Sequence, residues 1–94
     1  MFLCITTYQR DFDLTEPIVL EHWAYQDRAY AEGRLVCSGP QPAGGGVAIV
    51  RGDDEDDTRE LLDNDPFVKG GVVTYRLIRF RASRAAFPEL IEEV

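Results

Sequence analysis

The sequence is poor in the residues that cross-link or metallate small proteins. Its 94 residues hold two cysteines and one histidine. Cys4 and Cys37 form no CxxC pair and have no histidine at ligand spacing. Neither a disulfide scaffold nor a metal site is expected, and both thiols read as small, reduced core residues. Positive charge is also scarce: 10 Lys and Arg stand against 17 Asp and Glu, a net charge of −7. That balance argues against nucleic acid as a partner, since binding it requires cations that displace phosphate counterions. No apolar run approaches the ~18 residues of a membrane span. The opening MFLCITTYQR has no basic start and no small-residue cleavage site, so no signal peptide is expected. The run Gly44-Gly45-Gly46 does not open a helix, which excludes a P-loop and a dinucleotide fingerprint. These absences predict one acidic cytoplasmic domain over residues 1–94, without cofactor, metal, nucleic acid or membrane.

What is present is a clear alternation of elements. Residues 2–8, FLCITTY, are β-branched and aromatic, with apolar side chains on both parities, as in a strand covered on two faces. Phe2, Cys4, Thr6 and Tyr8 point one way, Leu3, Ile5 and Thr7 the other. A helix is predicted over 16–32, with Thr15 as N-cap, Pro17 in the first turn and Gly33 as the left-handed stop. Its stripes are Val19, Trp23 and Tyr30, and Ile18, His22, Tyr25 and Ala29. Short strands are expected at 35–38, ending in a Gly39-Pro40 turn, and at 47–50. The five acids Asp53 to Asp57 suit the positive end of a helix over 54–63, a solvated start and no metal site. Asp65-Pro66 breaks that helix. A long strand covers Val72 to Arg81, with Val73, Tyr75 and Leu77 on one face and Val72, Thr74, Ile78 and Phe80 on the other. An amphipathic turn over 85–91 ends the pattern.

The order β-α-β-β-α-β is that of the ferredoxin-like α+β sandwich: a four-stranded antiparallel sheet with two helices on one face. The opposite face, assigned here to Phe2, Tyr8 and part of 72–80, then needs a cover. A second copy of the chain is the simplest one, so a homodimer through the sheet is expected.

Several segments carry a family resemblance: Glu21-His22-Trp23-Ala24-Tyr25, Gly33-Arg34-Leu35, Ser38-Gly39-Pro40, Gly45-Gly46-Val47-Ala48-Ile49 and Asp65-Pro66-Phe67-Val68-Lys69-Gly70-Gly71-Val72. In this order and at these intervals the chain resembles the YCII-related family. The resemblance implies the dimeric α/β barrel form of the ferredoxin-like fold. It also implies a site pairing a His with an Asp, which here are His22 and Asp65. Enzymes of this fold class isomerise a muconolactone or dehydrochlorinate hydroxyhydroquinones.

Imidazole exchanges protons near neutral pH, and a carboxylate on one ring nitrogen fixes its tautomer. The resulting expectation is cofactor-free acid/base chemistry of the isomerase or lyase type, on a small aromatic or lactone-like metabolite. His22 would shuttle the proton and Asp65 would orient it. Ser38 and the Gly39 backbone would hold a substrate oxygen, and Tyr8 and Tyr25, with Tyr75, would line the pocket. Ser38 is also the one nucleophile candidate, and Arg10, Arg28 and Lys69 are cations that could draw in an anion. Each feature has a plainer explanation: His22 as a core residue, Asp65 as a turn former, the tyrosines as packing, the glycines as a hairpin connection, the cations as surface charge. Two other functions stay open, a non-catalytic binding or sensing module and a structural dimerisation domain.

Overall fold

A computed structural model describes residues 1–93. Four strands, β1 (Phe2–Tyr8), β2 (Leu35–Pro40), β3 (Gly46–Val50) and β4 (Val73–Arg79), form one sheet in the order β2-β3-β1-β4. All three pairings are antiparallel. Three helices, α1 (Pro17–Ala31), α2 (Glu55–Asp63) and the single turn α3 (Pro66–Lys69), complete the fold with a 3₁₀ turn at Pro88–Leu90. This is the expected ferredoxin-like sandwich, with one extra helical turn between α2 and β4.

The ends of α1 show how local chemistry sets its limits. Thr15 is not the cap. Asp13 Oδ1 accepts from both the N–H and the hydroxyl of Thr15, while the Glu16 carboxylate reaches back to the Asp13 N–H at 2.8 Å. These bonds hold the Asp13 and Glu16 carboxyls below the usual carboxylate range, chiefly through the backbone N–H of Thr15 and of Asp13, respectively. Pro17 then opens the helix, where its missing N–H costs nothing. At the other end Gly33 takes φ +73°, Gly33 N–H bonds to the Tyr30 carbonyl and Arg34 N–H to that of Ala29. That double return is a Schellman stop. In α2, Asp54 caps the Asp57 N–H, and Glu55, Asp56 and Asp57 occupy the first turn, where the macrodipole favours negative charge.

Register decides the two faces. Phe2, Cys4 and Val50 lie in one buried cluster with Ala29 of α1, and Leu61 and Leu62 of α2 pack against it. The Phe2 row is therefore the helix-covered row, which overturns its assignment to the open face. Phe2 is fully buried, a burial that stabilises by roughly 1.5–3 kcal/mol. The open face carries the other parity: Leu3 opposite Ile49 and Ile78, and Ile5 opposite Val47 and Arg76. A second cluster, Val19, Phe67, Val72 and Val73, joins α1 to α3 and the start of β4. Val72 precedes the strand and is buried there, not on the outer face.

Strand β2 runs on through Gly39 and Pro40, which pair with Val47 and Gly46, so no turn separates them from the sheet. The register also shifts between Leu35 and Cys37. A bulge of this kind exchanges the two faces beyond it. Leu35 points to the core, yet Cys37 pairs with Ile49 on the open face and is exposed, while Ser38 pairs with Ala48 on the helix side. Cys37 is thus not a core residue. Both thiols are free.

Candidate functional site

A cavity of about 430 Å³ lies between the helices and the covered face of the sheet. Tyr8, Leu14 and Trp23 line it and are themselves exposed, so they mark its mouth. His22 comes from the middle of α1. Asp65 is the residue that starts α3, and its position follows from the chain turning at Asn64: Asp65 N–H bonds back to the Leu62 carbonyl at 3.1 Å. Pro66 then forces the first position of a new helix.

The two side chains meet. His22 Nδ1 lies 2.8 Å from Asp65 Oδ1 and 3.0 Å from Oδ2. Oδ1 also accepts the Phe67 N–H at 2.9 Å, the N-cap bond of α3. The imidazole lies flat on the Phe67 ring, with 3.9 Å between centroids and 3° between planes. Side-chain exposures of 15% for His22 and 13% for Asp65 leave the pair accessible without being awash in water. A carboxylate on Nδ1 places the proton there and leaves the Nε2 lone pair uncommitted. Among the described residues Nε2 has no hydrogen-bond partner, and no buried side-chain polar atom lacks one. Nε2 therefore faces accessible space.

The aromatic lining is continuous. Tyr8 meets Phe12 edge-on at 5.2 Å, and Phe12 leans on Phe67 at 5.2 Å, which carries the His22 ring. Burial and then the charge of Asp65 push the Cys4 thiol up to about 11. The same two causes raise Tyr25. Among the described residues Asp65 is the one carboxylate on the cavity wall.

The other residues singled out in the sequence divide. Ser38, Gly39, Tyr8, Tyr25 and Tyr75 all line the cavity. The Ser38 hydroxyl bonds to Tyr30, not to His22, so no Ser–His pair forms a nucleophile. The Tyr25 hydroxyl donates to the Leu61 carbonyl at 2.6 Å, and Tyr75 donates to Asp63 at 2.7 Å; their rings and not their protons face the cavity. Arg10, Arg28 and Lys69 are absent from its wall. Arg10 pairs with Glu16, and Arg28 and Lys69 border a separate surface groove beside Pro66. In the glycine run, Gly44 N–H bonds to Gln41 and Gly46 N–H to Thr6 Oγ1, which is a hairpin connection. No group of three or more His, Cys, Asp or Glu among the described residues is placed to hold a metal. Sequence reasoning missed Gln26, which lines the cavity one turn beyond His22 and was detectable from its i+4 spacing.

An antiparallel four-stranded sheet covered by helices on one face, with a cleft between the layers, defines a ferredoxin-like α+β protein. Within that class the chain belongs to the YCII-related family: the model of the YCII-related domain matches residues 1–81. Its fold is similar to that of 5-chloro-2-hydroxyhydroquinone dehydrochlorinase from Burkholderia phenoliruptrix AC1100, solved in complex with 2,5-dihydroxybenzoquinone. The TM-score is 0.67 at 22% sequence identity, over 86% of this chain and 94% of that one. No curated protein matches the chain in sequence. No helix among the described residues is long and apolar enough to cross a membrane.

Proposed function

We propose that the cavity binds a small, ring-sized metabolite and that His22 moves a proton on it, as in a cofactor-free isomerase or lyase. The observation that carries this reading is the two-oxygen grip of Asp65 on His22 Nδ1 beside a cavity with an accessible Nε2. In the first step Nε2 takes a proton from an O–H or C–H of the ligand, and the C–H or O–H electrons stay on the substrate. Asp65 stabilises the imidazolium that results. In an isomerase the proton returns at another atom; in a lyase a leaving group departs with its bonding pair and the proton goes to solvent. Ser38 and Gly39 would hold a substrate oxygen, and Tyr8 and Tyr25 would contact its ring. The named activity of the structural neighbour, dehydrochlorination of a chlorinated hydroxyhydroquinone, is a reaction of this lyase kind.

The open sheet face, with Leu3, Ile5, Val47, Ile49 and Ile78 on one side, supports the further reading that two copies pair through it. Open apolar sheet faces seek a cover, and two-fold pairing is the commonest solution.

The test is a ligand screen of hydroxylated aromatics and lactones by thermal shift, followed by turnover assays on hits with wild type and His22→Ala. Binding by both with turnover only in wild type supports the acid/base role. Binding by both with turnover in neither identifies a binding module. Turnover undiminished in H22A would overturn the mechanism.

A further inference from the structure

We propose that the cavity selects uncharged ligands, an apolar ring-sized body bearing hydroxyl or carbonyl oxygens, and rejects carboxylates and phosphates. This rests on the reading of the cavity as a ligand site, and it narrows the substrate class.

The argument is one of charge placement. The chain has ten lysines and arginines, and none borders the cavity. Most are placed elsewhere, and the guanidiniums of Arg28 and Arg59 lie over the rings of Tyr25 and Tyr75, 5.5 and 5.7 Å from the centroids, without lining the cavity themselves. Arg34 pairs with Asp57 and Arg59 with Glu55; Arg51 bonds to the Glu89 carbonyl; Arg76 sits opposite Ile5 on the open face. The one anionic residue on the wall is Asp65, so an entering carboxylate meets a like charge and no counter-ion. Protonated His22 does not reverse this, because its charge is already matched by Asp65 at 2.8 Å.

The donors at the start of α3 and in the glycine run do not supply the missing positive field. The N-terminal N–H of α3 at Phe67 is taken by Asp65, and those of Gly44 and Gly46 by Gln41 and Thr6. Taking an unpaired carboxylate out of water into such a wall is costly, whereas a hydroxyl or carbonyl needs one hydrogen bond to be satisfied. Polar groups on the wall can provide such bonds, among them His22 Nε2, the Ser38 and Tyr8 hydroxyls, the Gln26 amide and the Trp23 indole N–H.

The test uses Trp23, the single tryptophan, which lines the cavity mouth. Its fluorescence is titrated with matched pairs that differ in one group: hydroquinone against 2,5-dihydroxybenzoate, and 4-hydroxybenzyl alcohol against 4-hydroxybenzoate. The expected result is a preference of about tenfold or more for the uncharged member, a difference any fluorescence titration resolves. It should persist in high salt, where the long-range repulsion from the net charge is screened. In Gln26→Lys the carboxylates should gain affinity, because the wall then holds a cation one turn from His22. Equal or tighter binding of the carboxylates by wild type overturns the proposal while leaving the ligand site standing. A preference that vanishes in high salt overturns it too, by assigning the effect to net charge. If no member of either pair binds up to millimolar concentration, the ligand-site reading falls and the proposal with it.

Discussion

The imidazole of His22 rests parallel on the ring of Phe67, 3.9 Å away, and the carboxylate of Asp65 is bonded to both residues at once. One side chain therefore sets the tautomer of the histidine and caps the helix that supplies its stacking partner. Two jobs on one carboxylate can be separated, because asparagine keeps the capping oxygen and loses the charge that steadies the imidazole.

Asp65→Asn retains an oxygen for the Phe67 N–H, and Asn is as good an N-cap as Asp. Folding should change little, while turnover falls by roughly 10²-fold or more, the scale of a general acid/base contribution. Asp65→Ala loses the cap as well and should cost about 1–2 kcal/mol more in stability. Imidazole ¹⁵N shifts, readable without overlap from a single histidine, should show Nδ1 protonated in wild type and mixed tautomers in D65N. Wild-type shifts with Nε2 protonated would sink the assignment.

The thiols should differ sharply. Cys37 is exposed and Cys4 is buried beside Asp65. A thiol reagent at pH 8 should label one cysteine in the native protein and two in denaturant, counted by mass. Because the folded-state value for Cys4 is about 11 against a reference of 9.0, the unfolded chain loses this proton first. Stability from Cys4 is complete below about pH 9 and is lost as pH rises toward 11. Tyr25 and Tyr75, also raised mainly by burial, add to the same alkaline loss. Cys4→Ala should flatten the early part of the slope in a denaturation series from pH 8 to 11.

A charge on the open face should act on association and not on folding. Ile49→Glu, opposite Leu3, is expected to give a folded monomer by light scattering with circular dichroism preserved. Phe2→Glu places the same charge in the core and should unfold the chain. A wild-type monomer at micromolar concentration would remove the basis for pairing.

Gly45 has φ +76°, and a Cβ there would collide with the Thr6 carbonyl. Gly44 also has positive φ, yet nothing lies near its missing Cβ. Gly45→Ala should therefore lose well over the ~1 kcal/mol expected from backbone strain alone, and Gly44→Ala about that amount. Equal thermal midpoints for the two variants would contradict the close approach of the hairpin to β1.

The amino-acid sequence by itself determined the order of the four strands and the two longer helices, though not the turn α3, together with the left-handed stop at Gly33, the acid-led start of α2 and the strand topology, because these rest on local spacing and on chirality. It also singled out His22 and Asp65, through segments shared with a family and not through periodicity. What it could not determine was which face of the sheet the helices cover. Strand parity separates Phe2 from Leu3, but both rows are apolar, and only packing against Ala29, Leu61 and Leu62 breaks the tie. The bulge after Leu35 was equally hidden, since one unpaired residue changes no composition; it alone turns Cys37 outward and Ser38 toward the cavity. The approach of Asp65 to His22 across 43 residues of chain, and the absence of every lysine and arginine from the wall around them, belong to the tertiary structure. They depend on how α1 and α3 dock through Val19, Phe67 and Val72, and no local preference encodes that docking.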